Sequence, residues 1–189
     1  MNCLLFLCLT LLQKPCLLFQ RFIYNESVAQ IRLEVFIVLP LPKKYFLTAA
    51  SCEGETELTA FDRALLEAGV GNTNLLRVSS ILPPGCEYEP GLIIPPGSLL
   101  PIAYGTITSC EPGARIAAAV AVGIKKDSFG VIMEYEGYCG KAEAEEMVVK
   151  MCQEAFRVRG LELDEIKIAA TEHLIEKIGC AFAAVPLWY

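Results

Sequence analysis

Histidine is almost missing from this chain, which has one, His173, in 189 residues. The usual zinc-ligand spacings cannot be assembled from it, and no Cys-x-x-Cys pair occurs among the nine cysteines, so no metal site is expected. A serine triad would rest on the same histidine, without a Gly-x-Ser-x-Gly elbow to accompany it. His173 is therefore given no catalytic role. Nine is an odd number, and cysteines scattered in this way read as reduced thiols, mostly buried, in a cytoplasmic protein.

Also lacking is any block of basic residues. With a net charge of −6, nothing marks a nucleic-acid surface, whereas a mildly acidic chain suits a cationic small substrate. Gly69-Val70-Gly71 lacks the third glycine of a dinucleotide fingerprint, and no Walker sequence is present. The apolar run 3–12 is broken by Gln13, Lys14 and Pro15 before it reaches the roughly 20 residues that a bilayer span needs. Met1-Asn2 supplies no basic region ahead of that run, as a secretory signal would. Residues 1–35 are expected to be an apolar extension outside the fold, with residues 36–189 forming one domain and no association with a membrane.

What the chain does have is a clear succession of patterned segments. Pro40 and Pro42 punctuate the entry to the domain. Residues 44–50 read as a strand and 51–56 as a polar turn. Leu58, Phe61, Leu65 and Leu66 recur at helical spacing and predict a helix over 57–68, stopped by Gly69 and Gly71. A short strand over 74–79 runs into Ser80. A proline- and glycine-rich excursion occupies 83–97. Strands are predicted over 99–108, 115–124 and 130–136; the run 116–122 has almost no polar residue, as in a strand covered on both faces. Ala144, Met147, Val148, Met151, Ala155 and Val158 predict a helix over 141–159, ended by Gly160. Strands near 166–171 and 180–187 complete a layered α+β pattern of sheets covered by helices.

One segment stands out for chemistry: Arg77-Val78-Ser79-Ser80-Ile81-Leu82-Pro83-Pro84. Two serines end a predicted strand directly before a proline-restricted stretch. Alone, such a pair makes a turn. Its surroundings say more. Cys52-Glu53-Gly54-Glu55-Thr56, Ala60-Phe61-Asp62, Gly71-Asn72 and Asn74-Leu75 precede it. Ala103-Tyr104-Gly105, Ile132-Met133-Glu134-Tyr135-Glu136-Gly137, Gly179-Cys180-Ala181-Phe182-Ala183-Ala184 and Leu187-Trp188-Tyr189 follow it. Taken in this order, the set resembles the pyruvoyl-dependent arginine decarboxylase family.

The resemblance implies a layered αββα sandwich of α+β class, a single domain cleaved by itself into two chains. Ser80 Oγ attacks the carbonyl of Ser79, an N-to-O acyl shift gives an ester, and elimination and hydrolysis leave a pyruvoyl group on the 80–189 chain. The other chain ends at Ser79. The covalent ketone takes the electron-accepting job that pyridoxal phosphate performs elsewhere, so neither that cofactor nor a metal is expected. A hydroxyl is a poor nucleophile, and the reaction asks for a distorted amide and for oxyanion donors. The proline pair after Ser80 helps fix that geometry.

The resemblance also assigns roles to single residues, each with a plainer alternative. Asn74 supplies an amide donor near the active site, or is a turn asparagine. Glu134 is the proton donor; it shares a strand face with Glu136, so mutual repulsion and burial behind Ile132 and Met133 favour the protonated form of one of them. The alternative is two solvated glutamates at a strand end. Asp62 interrupts the apolar face of its helix and needs a cationic partner. In the family that partner is the substrate guanidinium, with Leu65 against the aliphatic part of the substrate; otherwise it is Arg77 or Arg115. Family sites lie between adjacent protomers of a trimer, so Asp62 and Ser80 are expected to face Glu134 of a neighbouring subunit. The expected reaction is decarboxylation of L-arginine to agmatine. Another amino acid such as histidine, or an uncleaved binding protein of the same fold, are the competing readings.

Overall fold

The computed structural model describes residues 39–189, which form one unit; the expected extension 1–35 lies outside the described residues. The architecture follows from alternation along the last strand, β10 (Gly179–Trp188). Ala181, Ala183, Val185 and Leu187 point to one face and Cys180, Phe182 and Ala184 to the other, all buried. A strand apolar on both faces belongs in the middle of a sheet covered on both sides.

Six strands form that first sheet: β1 (Lys44–Tyr45), β2 (Thr48–Glu53), β3 (Asn74–Arg77), β5 (Glu87–Tyr88), β6 (Leu99–Ser109) and β10. β6 and β2 flank β10 antiparallel, with Ala181 opposite Ile107 and Ser51, and β3 adds parallel to β6. The second sheet runs in the order β4 (Ile81–Leu82), β8 (Gly130–Gly137), β7 (Arg115–Ile124), β9 (Glu165–Leu174), all antiparallel.

Small residues bring the sheets together. Ala103, Ala181, Ala183 and Val185 of the first sheet share one core cluster with Ile116, Ala118, Val120 and Ile132 of the second. On the other face of the first sheet, α1 (Glu57–Glu67) packs Ala60, Ala64 and Leu65 against Leu100, Ile102 and Phe182. On the other face of the second, α2 (Lys141–Val158) packs Ala144, Val148 and Cys152 against Ala117, Ala119 and Ala121. Over the described residues the fold is thus a single-domain α+β arrangement of two sheets and two helices.

Two expectations need correction. The segment 51–56 is not wholly a turn: β2 continues to Glu53 because its edge pairs with β10, Cys52 opposite Cys180. The apolar stripe of α1 is also rotated. Phe61 and Leu65 pack on the sheet as expected, but Leu58 is 75% and Leu66 48% exposed, and Ala60, Ala64 and Ala68 take their place. Alanines allow the helix close to Phe182, so Asp62 is exposed and does not interrupt the buried face.

The chain changes sheet at the two serines. The Val78 N–H still donates to Ile102 O of β6, 3.1 Å away, whereas Ser80 O already accepts from the Ile132 N–H of β8 at 2.8 Å. Only Ser79 lies between those two anchors.

Candidate active site at the sheet crossing

Ser80 pays for that abrupt crossing with its backbone, which sits in the left-handed region at φ 45°. Such a conformation costs a serine on the order of 1 kcal/mol or more, and it persists because the carbonyl is pinned by Ile132. Pairing of β4 with β8, Ile81 opposite Val131, then sets Ser80 beside Glu134. Ser80 Oγ donates to Glu134 Oε1 at 2.5 Å, the length of a charge-assisted O–H···O bond. Glu134 therefore comes from the same chain as Ser80. The expectation that Ser80 faces Glu134 of a neighbouring subunit is corrected on this point, because antiparallel pairing to β8 already supplies the residue.

Glu136 lies two residues on and shares the face of Glu134, as alternation along β8 requires. Across from them β6 carries Gly105. A Cβ placed there would lie 2.6 Å from Glu136 Oε2 and 3.5 Å from Glu134 Cβ, so the missing side chain is the space that the carboxylates use. Desolvation raises the pKa of Glu136; the Arg77 guanidinium pulls it down and the charge of Glu134 pushes it up. Arg77 is itself committed to Tyr104, donating to its carbonyl at 3.0 Å and lying 4.7 Å over its ring. Ser79 is exposed and borders an apolar cavity of about 430 Å³, lined also by Leu76, Val78, Ile81, Pro101 and Tyr189.

The other sequence-predicted residues do not meet Ser80 within one chain. Asn74 opens β3, and its Nδ2 donates to Gly97 O at 2.9 Å, tying down the proline-rich excursion. Leu65 is 8% exposed and belongs to the core between α1 and the first sheet. Asp62 is exposed and, among the described residues, forms no ion pair. Neither internal partner is taken: Arg77 is held by Tyr104, and Arg115 pairs with Glu172 at 3.0 Å. The first sheet stands between α1 and the face that carries Glu134.

A model of the pyruvoyl-dependent arginine decarboxylase family matches residues 44–189, which include every residue named above except those before β1. The chain belongs to that family. It is 55% identical over 151 residues to the pyruvoyl-dependent arginine decarboxylase of Methanocaldococcus jannaschii, covering 79% of this chain and 92% of the relative. The proteins of that name from Thermococcus kodakarensis and Pyrococcus furiosus are each 49% identical, covering 78% of this chain and 96% of their own.

Pyruvoyl-dependent arginine decarboxylases carry a covalent pyruvoyl group rather than a metal or pyridoxal phosphate. The residues present fit such a group: a strained serine whose hydroxyl is already hydrogen-bonded to a carboxylate stands where the chain crosses sheets. Among the described residues no three His, Cys, Asp or Glu side chains gather closely enough for a metal ion, and no helix is long and apolar enough to cross a membrane.

Sequence reasoning missed two features of this family member. Gly105 was one, although a glycine inside a strand signals close approach. The other is Glu53, which accepts from His173 Nε2 at 2.7 Å and from the backbone N–H groups of Glu176, Lys177 and Ile178 at 3.0, 3.1 and 2.8 Å. Burial alone would raise its pKa, but these donors outweigh it and bring the value to about 2. His173 thus has a structural task at the Gly179 end of β10.

Proposed function

We propose that the chain cuts its own backbone between Ser79 and Ser80, leaves a pyruvoyl group on residue 80, and uses it to decarboxylate L-arginine to agmatine. Pyruvoyl-dependent arginine decarboxylation, a carboxy-lyase reaction, is the activity of the family to which it belongs. The observation that carries the position of the cut is the hydrogen bond from Ser80 Oγ to Glu134 at a left-handed serine.

In this reading Glu134 takes the hydroxyl proton as Ser80 Oγ closes on the Ser79 carbonyl. The Ile132 N–H holds Ser80 in its strained form while this happens. A pyruvoyl group at residue 80 supplies an electrophilic ketone that accepts electrons as carbon dioxide leaves. Glu134, still facing residue 80 after the cut, holds a proton and returns it to the substrate. Asp62 receives the substrate guanidinium, whose flat fork matches a carboxylate. Leu65 packs beside the aliphatic part of the substrate, and Asn74 supplies an amide donor.

Because Asp62 and Asn74 stand apart from Ser80 in one chain, the site is completed between copies, in a trimer of cleaved units or a multiple of it. The core clusters on either side of each sheet support an αββα sandwich for every copy. Residues 1–35 are dispensable in this reading, and the enzyme works in the cytoplasm.

Intact-mass measurement tests the cut. The purified protein is expected as two species, 1–79 and 80–189, the latter with a mass that carries pyruvoyl in place of serine, and Ser80→Ala as one uncut species. A folded wild-type chain that stays whole through long incubation sinks the proposal. Asp62→Ala is expected to raise KM for arginine at least tenfold with cutting intact; unchanged arginine kinetics would remove Asp62 from the site.

A further inference from the structure

We propose that Glu136 is a positioning residue that acts through Glu134, leaving it a base while Ser80 is intact and turning it into an acid once the bond is cut. This rests on the reading that Glu134 exchanges the Ser80 proton.

Four observations carry it. Glu134 and Glu136 share one face of β8, and their register neighbours on β7 are Val120 and Ala118, which offer neither charge nor hydrogen bond. Gly105 of β6 leaves the space that the Glu136 carboxylate occupies; a Cβ there would lie 2.6 Å from Glu136 Oε2. Among the described residues Glu136 forms no ion pair or side-chain hydrogen bond, and Arg77, the cation that influences it, is fastened to Tyr104. Finally, Glu134 receives its hydrogen bond from the one group that the cut removes, the Ser80 hydroxyl.

The consequence is a change of role without movement. Before the cut, Glu134 accepts the Ser80 hydroxyl hydrogen while the Glu136 carboxylate stands on the same strand face. During the cut, Oγ leaves residue 80 and ends in the new carboxylate of Ser79. Glu134 then keeps Glu136 as its charged neighbour and has lost its donor, so a proton becomes the easier way to relieve the repulsion. The other groups within reach are Arg77 at the end of β3 and Cys152 of α2, whose thiol is raised by burial and, in lesser part, by the charge of Glu134. Neither is altered by the cut. The pKa of Glu136 is raised chiefly by desolvation; Arg77 pulls it down, and the charge of Glu134 adds the smallest contribution, upward.

The test follows self-cleavage of freshly synthesised full-length chain by intact mass across pH, alongside the pH profile of decarboxylation. In Glu136→Gln the acid limb of self-cleavage is expected to move down by about one pH unit, and the basic limb of decarboxylation to move down with it. Glu136→Asp, which keeps the charge but draws it back by one methylene, is expected to give a smaller shift in the same direction and carries the test if the glutamine variant does not fold. Unmoved limbs in either folded variant overturn the role of Glu136. Glu134→Gln separates this from the underlying reading: if the acid limb of self-cleavage survives that change, Glu134 is not the base and the parent proposal fails instead.

Discussion

Glu53 and Glu134 are both strand glutamates beside polar partners, yet the fold treats them in opposite ways. Glu53 is saturated by three backbone N–H groups and His173, and its pKa falls to about 2. Glu134 has a single hydroxyl donor and a second carboxylate on the same strand face. The number of fixed donors separates a carboxylate locked into the structure from one held by a single side chain.

The contrast can be broken at either end. Glu134→Gln has the largest expected effect, slowing self-cleavage by about 10²–10⁴-fold while melting near the wild-type temperature; mass spectrometry paired with thermal unfolding reads both. Glu53→Ala should do the reverse. Three backbone donors lose their acceptor, costing about 3 kcal/mol of stability in denaturant titration, with little change in self-cleavage by the molecules that remain folded. The smallest effect is in acid. A carboxylate with its folded pKa lowered from 4.5 to about 2 contributes stability that is complete above pH 4.5 and fades as the pH falls toward 2. Unfolding measured across that window should show a steeper acid loss for wild type than for Glu53→Gln. Equal slopes would mean that Glu53 is not the saturated carboxylate described.

Much of the fold could be read from residue patterns. The run 116–122 announced a strand covered on both faces, and every one of those residues is fully buried. The helix expected over 141–159 is α2 at 141–158, because its apolar face points at one sheet and its charges at solvent. β2 was harder: Ser51, Cys52 and Glu53 are half-exposed, and only their pairing with β10 makes them a strand. α1 misled for another reason. Its large leucines looked like the buried stripe, but the sheet accepts alanines and leaves Leu58 and Leu66 outside.

The candidate site divides in the same way. Ser80 and Glu134 were legible as residues, while the hydrogen bond joining them within one chain depends on a two-residue strand, Ile81–Leu82, pairing with β8. Gly105 has no local signature beyond being a glycine, because its purpose belongs to a side chain 31 positions later on another sheet.

A cut at the Ser79 crossing, as proposed, would have a consequence for the lifetime of the protein. The fragment ending there brings β1, β2, β3 and α1, while β6 and β10 belong to the other fragment, and the two are laced into one sheet through pairs such as Ala50 with Phe182 and Leu75 with Leu100. The proposed scission would therefore leave two polypeptides interleaved, with no linker to reunite them. First folding would be unimolecular and independent of concentration, whereas regaining the structure after the cut and denaturation would need two separate chains to collide, and would slow with every dilution.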